Sequence, residues 1–160
     1  MAGSILLALK LRWSRDREYY KIVKDLFGIL PNNIELYKLA LIHRSASLFL
    51  EDGTPINNER LEFLGDAVIE AIVSDYLFIE FPEHEGFLTQ LRSRIVSRST
   101  LNALGIRLGL DKHIIVQGGG NFAQKHLYGD ALEAMMGAIY LDKGYDFANR
   151  LFINDILRKY

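Results

Sequence analysis

The 160-residue chain has no cysteine, three prolines, one tryptophan and a net charge of only −1. Without cysteine there is no disulfide and no thiolate metal site. The absence suits a reducing compartment, and a cytoplasmic location is the expectation. Long hydrophobic runs are also missing. The N-terminal stretch Ser4 to Leu11 (SILLALKL) is apolar but far short of the roughly 20 residues that span a bilayer. It lacks the basic flank and small-residue cleavage site of a secretory signal, so it is expected to pack on the domain or on a partner, with no membrane involved. The near-zero net charge argues against a uniformly basic nucleic-acid binder but leaves room for a local basic stripe.

What is present is helical periodicity. Apolar residues at Tyr19, Ile22, Val23, Leu26 and Phe27, followed by Gly28, predict a first helix and its stop. Pro31-Asn32-Asn33 reads as a turn with a cap, Ile34 to Arg44 as a second helix, and Leu48 to Ile56 as a loop. Asn57 or Asn58 can cap a third helix that runs towards Phe81-Pro82. Two more helices are expected over 85–96 and 99–110, the second capped by Ser97 or Ser99. Further helices are expected from about Gln124 to Leu141 and from Asp146 to Tyr160. The glycines at 118–120 are not followed by Gly-Lys-Ser/Thr and do not form a phosphate-binding P-loop. No strand ladder, internal repeat or low-complexity segment is evident, so the reading is one all-α domain.

The third helix carries the chemistry. Residues 57–78 read NNERLEFLGDAVIEAIVSDYLF. Glu59, Glu62, Asp66 and Glu70 fall within an arc of about 80° at helical spacing. Leu61, Phe63, Leu64, Val68, Ile69, Ile72 and Val73 cover most of the remainder. A helix this apolar is expected inside the domain. Its acids then lie in a groove, against basic partners or against cations, because an unpaired buried carboxylate is costly. The alternative is a stripe that faces water. A second acidic pair, Asp130 and Glu133, lies in LYGDALEAMMGAIYLD (127–142), beside Ala134 and Gly137. Small residues there would let another helix approach closely. If that helix is the third, Glu62, Asp66, Asp130 and Glu133 converge. Four carboxylates so close would raise at least one pKa or attract a hard divalent ion such as Mg²⁺.

These blocks resemble a known family. NERLEFLGDAV (58–68) is similar to the signature of ribonuclease III, the endonuclease that cuts double-stranded RNA. ALIHRSAS (40–47), EGFLTQLR (85–92) and residues 127–142 resemble further family blocks in the same order, over roughly residues 18 to 160. The resemblance implies an all-helical endonuclease domain that works as a homodimer. Glu62, Asp66, Asp130 and Glu133 match the family's catalytic, metal-binding acids. Glu59 matches the first acid of the signature, near the catalytic valley, and Glu85 an acid at its RNA-facing edge. Phe63 matches an aromatic plug that enters the partner subunit. The implied reaction is Mg²⁺-dependent hydrolysis of double-stranded RNA in rRNA and mRNA processing, with Mn²⁺ able to substitute. Products would carry 5′-phosphate and 3′-hydroxyl ends with short 3′ overhangs. A non-catalytic relative that binds RNA or ribosomes is the alternative.

Bacterial relatives carry a double-stranded-RNA-binding domain after this unit. Residues 1–160 read as a single catalytic domain without one. The Phe49 to Pro55 loop is longer than in compact relatives. Arg92, Arg94, Arg98, Arg107 and Lys112 form a candidate phosphate-contacting edge, with Thr89 and Gln90 near ribose; their alternative is a solvated helix face. Lys125 and His126 are read as solvated surface residues, with a phosphate contact as the alternative; His43 as a hydrogen-bonded structural histidine, with a catalytic role as the alternative; and Met135 and Met136 as core.

Overall fold

A computed structural model describes residues 16–118 and 126–159. The N-terminal apolar run, Trp13, the glycines at 119 and 120, the expected helix start at Gln124, Lys125 and Tyr160 lie outside the described residues. The described chain is all-α apart from one small hairpin. Its helices are α1 (Arg17–Phe27), α2 (Ile34–Ala40), α3 (Glu59–Glu80), α4 (Glu85–Ile95), α5 (Arg98–Leu108), α6 (Leu127–Lys143) and α7 (Tyr145–Arg150).

Local chemistry sets the boundaries. Gly28 takes a left-handed φ of 68° and closes α1, its N–H donating to the Lys24 carbonyl at 2.8 Å. The Asn33 side chain accepts from Glu35 N and starts α2. Both asparagines before α3 are used, for different purposes. Asn57 Oδ1 accepts the Glu59 N–H at 3.0 Å, whereas buried Asn58 donates from Nδ2 to the Ala40 carbonyl at 3.2 Å. Phe81 is pushed to extended backbone by Pro82 and ends α3. Ser97 caps α5, as its position predicts.

Three expectations are corrected. The second helix stops at Ala40, and Arg44–Ala46 form a separate 3-10 turn whose cap is the His43 ring. The 48–56 segment is not a bare loop: β1 (Leu48–Phe49) pairs antiparallel with β2 (Pro55–Ile56). The last helix changes to a π-helix over Leu151–Leu157, which buries Leu151, Phe152, Ile153 and Ile156.

α6 is the axis of the core. Ala131, Leu132, Ala134, Met135, Met136, Ala138 and Ile139 are fully buried. Asn102, on α5, does the capping work at its start: Oδ1 accepts the N–H groups of Tyr128 at 3.1 Å and Gly129 at 3.3 Å. Near its C-terminal end, Asp142 accepts from Asn32 N at 3.0 Å, Asn33 N at 2.8 Å and Tyr37 Oη at 2.9 Å, locking α6 to α2. Burial and this bond to Asp142 push the Tyr37 phenol up.

α3 crosses α6 at backbone contact. A Cβ added at Gly65 would overlap the Glu133 carbonyl and sit 2.9 Å from Gly137 N; one added at Gly137 would strike the Leu61 carbonyl. α3 is therefore not buried all round. Its inner face holds Leu61, Val68, Ile69, Ile72, Val73 and Leu77, but Phe63, Phe78 and Ile79 point outward.

Alanine normally favours a helix over glycine by about 1 kcal/mol. At position 65 the sign should reverse. Gly65→Ala is expected to lose at least about 2 kcal/mol in urea unfolding, because the helices must separate. Gly86→Ala on exposed α4 meets only the His84 ring at 3.4 Å and should be neutral or stabilising. Equal stability of the two variants would contradict the tight crossing.

Candidate active site

The Gly65–Gly137 contact decides where the acids go. Glu62 and Asp66 flank Gly65 on α3, and Asp130 and Glu133 lie two turns and one turn before Gly137 on α6. Carboxylate oxygens of Glu62, Asp130 and Glu133 lie within 4.8 Å of one another. All three residues are half-buried. Asp66 and Glu59 are exposed but line the same pocket of 390 Å³, with Arg44, Phe63, Val96 and Arg98. Glu70, the fourth acid of the stripe, is exposed and does not line it.

The electrostatics follow from this crowding. Burial, then the charges of Asp66, Asp130 and Glu62, push the Glu133 carboxyl up to about 8. Burial also raises Glu62, reinforced by Asp130 and Glu59. Asp130 is raised by burial and held back by His126, His43, Arg44 and Arg98. The protein alone thus leaves this group of acids under-compensated. The donor set is all hard carboxylate oxygen, half-buried and convergent, which fits a divalent cation. Glu62, Asp130 and Glu133 are the side chains that could hold one, with Asp66 at the edge.

His43, next in the chain to pocket-lining Arg44, is buried. Its Nδ1 accepts the Ser45 N–H at 3.2 Å and sits 2.9 Å from Ser45 Oγ. Burial and then Arg44 lower its pKa. This is the hydrogen-bonded structural histidine that the sequence suggests, placed against the acids.

The other candidate residues spread out. Glu85 accepts a hydrogen bond from Thr89 Oγ1 at 2.9 Å, and Arg92 donates to Ser74 Oγ at 2.9 Å. Both line an open groove of 680 Å³ between α3 and α4, with Leu77, Phe78, Phe81 and Leu88, rather than the acid pocket. Gln90, Thr89 and Arg94 line a shallow polar depression with Ser93, Ser97 and Thr100. Of the five basic residues read as one edge, only Arg98 lines the acid pocket. Phe63 is 81% exposed beside the acids. Arg44 was not picked out from the sequence; its signal was its place in the ALIHRSAS block.

Comparison with known proteins bears on this arrangement. A family model described as ribonuclease-III-like matches residues 33–160. A ribonuclease 3 from Bacteroides fragilis is 44% identical over 153 residues, covering 95% of this chain and 53% of that protein. The chain thus spans about half the length of that relative. Among solved structures, the nuclease domain of ribonuclease III from Campylobacter jejuni aligns with a TM-score of 0.74 at 33% identity, covering 86% of this chain and 98% of that one. Dicer from Pichia stipitis aligns with a TM-score of 0.57 at 28% identity, covering 79% and 57%. The ordered blocks, the helical fold and these matches agree, and the chain belongs to the ribonuclease-III-like family.

Proposed function

We propose that this chain is a Mg²⁺-dependent endoribonuclease domain that hydrolyses double-stranded RNA. The observation that carries the reading is the cluster of Glu62, Asp130 and Glu133, with Asp66 at its edge, built across two helices. Ribonuclease 3 relatives support the substrate class. The full set of four acids lining one pocket favours a nuclease over a non-catalytic RNA- or ribosome-binding relative.

These four acids would hold Mg²⁺, or Mn²⁺ in its place. A divalent ion bound there supplies a water nucleophile at neutral pH and offsets charge on the departing oxygen. Expected products carry 5′-phosphate and 3′-hydroxyl ends. Glu133 and Asp130 are held by a helix fixed at both ends, by Asn102 and Asp142, so their carboxylates are preorganised. The acid pocket is open to solvent at Asp66 and Glu59, which leaves room for a polynucleotide backbone.

The domain is proposed to act as a homodimer. Exposed Phe63 near one end of α3 would enter the partner's apolar groove beside Phe78 near the other, an exchange that a two-fold axis makes twice. Two sites related by that axis would cut opposite strands and leave short 3′ overhangs. The Campylobacter jejuni nuclease domain has a region involved in dimer formation. Gln90, Arg92 and Glu85 are proposed to face RNA or the second subunit from α4, and Glu59 to act behind the ligands. The lack of cysteine is in keeping with a cytoplasmic setting, and among the described residues no helix is long and apolar enough to cross a membrane. The substrates are proposed to be structured rRNA and mRNA precursors.

Purified protein should fragment long duplex RNA at low salt with Mg²⁺ and not with EDTA. Glu133→Gln should lower that rate by about 10³-fold with unchanged circular dichroism, since metal-borne charge stabilisation amounts to several kcal/mol. Intact RNA with wild-type protein, or full activity in the variant, would reject the assignment. A second expectation concerns pH. The folded-state pKa of Glu133, about 8, lies above its ordinary 4.5. Ion-free protein should therefore lose stability as pH rises between about 4.5 and about 8, as the unfolded chain gives up protons that the fold retains. Saturating Mg²⁺ should raise Tm by about 5–10 °C at pH 8 and by little at pH 5. A pH-independent shift would disprove binding at this cluster. Finally, Phe63→Ala should weaken self-association at least about 10-fold by sedimentation; a wild-type dimer constant would remove the plug.

A further inference from the structure

Two guanidiniums share the pocket with five carboxylate residues, Arg44 from the 3-10 turn and Arg98 from the first turn of α5. Among the described residues neither makes a side-chain hydrogen bond or an ion pair. This is unusual. An arginine among carboxylates ordinarily closes a bidentate pair, because its planar fork matches them. The backbone of the turn that carries Arg44 is fixed. The His43 ring caps the turn at Ser45 N, and Ser47 Oγ donates to the Arg44 carbonyl at 2.7 Å. Both arginines line the pocket and are exposed, so their donors are open to solvent.

A pocket with a cation-binding floor and uncommitted guanidiniums in its lining has one natural ligand, an anion that also touches the cation. Resting on the endoribonuclease reading above, we infer that Arg44 is a substrate-contacting residue that donates to a non-bridging oxygen of the phosphodiester seated over Glu62 and Asp130, with Arg98 as the second donor on the Glu133 side. The division follows from the fields inside the pocket. Arg44 acts on Glu62 and Asp130, whereas Arg98 also reaches Glu133. The contact carries no base code, so it strengthens binding of any duplex and aligns the phosphate for attack.

The test uses Arg44→Ala and Arg44→Lys. In the Glu133→Gln background, where strands stay intact, duplex RNA binding is measured against salt. Removing one phosphate contact should lower the magnitude of the slope of log K against log salt by about 1, and Arg44→Lys should restore most of it. In the otherwise wild-type chain, Arg44→Ala should reduce single-turnover cleavage by about 10- to 100-fold, with the midpoint for Mg²⁺ and the Tm unchanged. A wild-type salt slope, or a cleavage loss that tracks a lowered Tm, would overturn the role of Arg44. The binding arm reads the contact whether or not the protein cuts. Failure of wild-type cleavage with an intact slope effect therefore counts against the nuclease reading and not against the contact.

Discussion

Backbone-to-backbone contact between α3 and α6 is the constraint on which the site depends. Gly65 and Gly137 let the two helices approach until the Glu133 carbonyl occupies the space of a side chain. Nothing larger than hydrogen fits there. With both glycines in place, Glu62 and Glu133 sit on either side of a narrow seam, and Asp130 follows one turn earlier. The same contact that completes the core thereby brings like charges together. Burial of Ile69, Ile72 and Val73 from α3 and of Met135, Met136 and Ile139 from α6 in one hydrophobic core drives the approach, and the acids are carried with it.

This coupling explains why the acidic cluster persists despite its energetics. Burial raises Glu62, Asp130 and Glu133, and repulsion from neighbouring carboxylates adds to it at Glu62 and Glu133. Arg44 and Arg98 oppose the rise but close no ion pair with them. A fold optimised for stability alone would pair those charges; one that binds a cation leaves them poised. The surrounding structure compensates with local order. Asn102 closes the N-terminus of α6, Asp142 ties its C-terminal end to α2, and Asn149 donates to Asp75 at 3.1 Å to brace the far half of α3.

Much of this was legible in the sequence because it rests on short-range rules. Helix periods, the Gly28 stop, the Asn33 and Ser97 caps and the Phe81-Pro82 ending are local signals, and the structure follows them. The small residues at Ala134 and Gly137 announced a close crossing. Other features depend on tertiary contact. The cap on α6 comes from Asn102, 26 residues from Tyr128. Arg44 sits in a turn that the helical pattern of 34–44 concealed. On α3, Phe63 read as outward only through its family match, and Phe78 was hidden because it is as apolar as the core positions beside it. Short strands such as Leu48–Phe49 leave little periodic trace. The basic residues of α4 and α5 look like one edge on paper, yet helix geometry sends Arg92 and Arg98 to different pockets.

The most direct measurement is anomalous diffraction from crystals grown with Mn²⁺. The account predicts a strong anomalous peak in contact with carboxylate oxygens from both α3 and α6, Glu62 on one side and Asp130 or Glu133 on the other. Density showing no ion between the two helices, with the acids turned apart towards water, would contradict it.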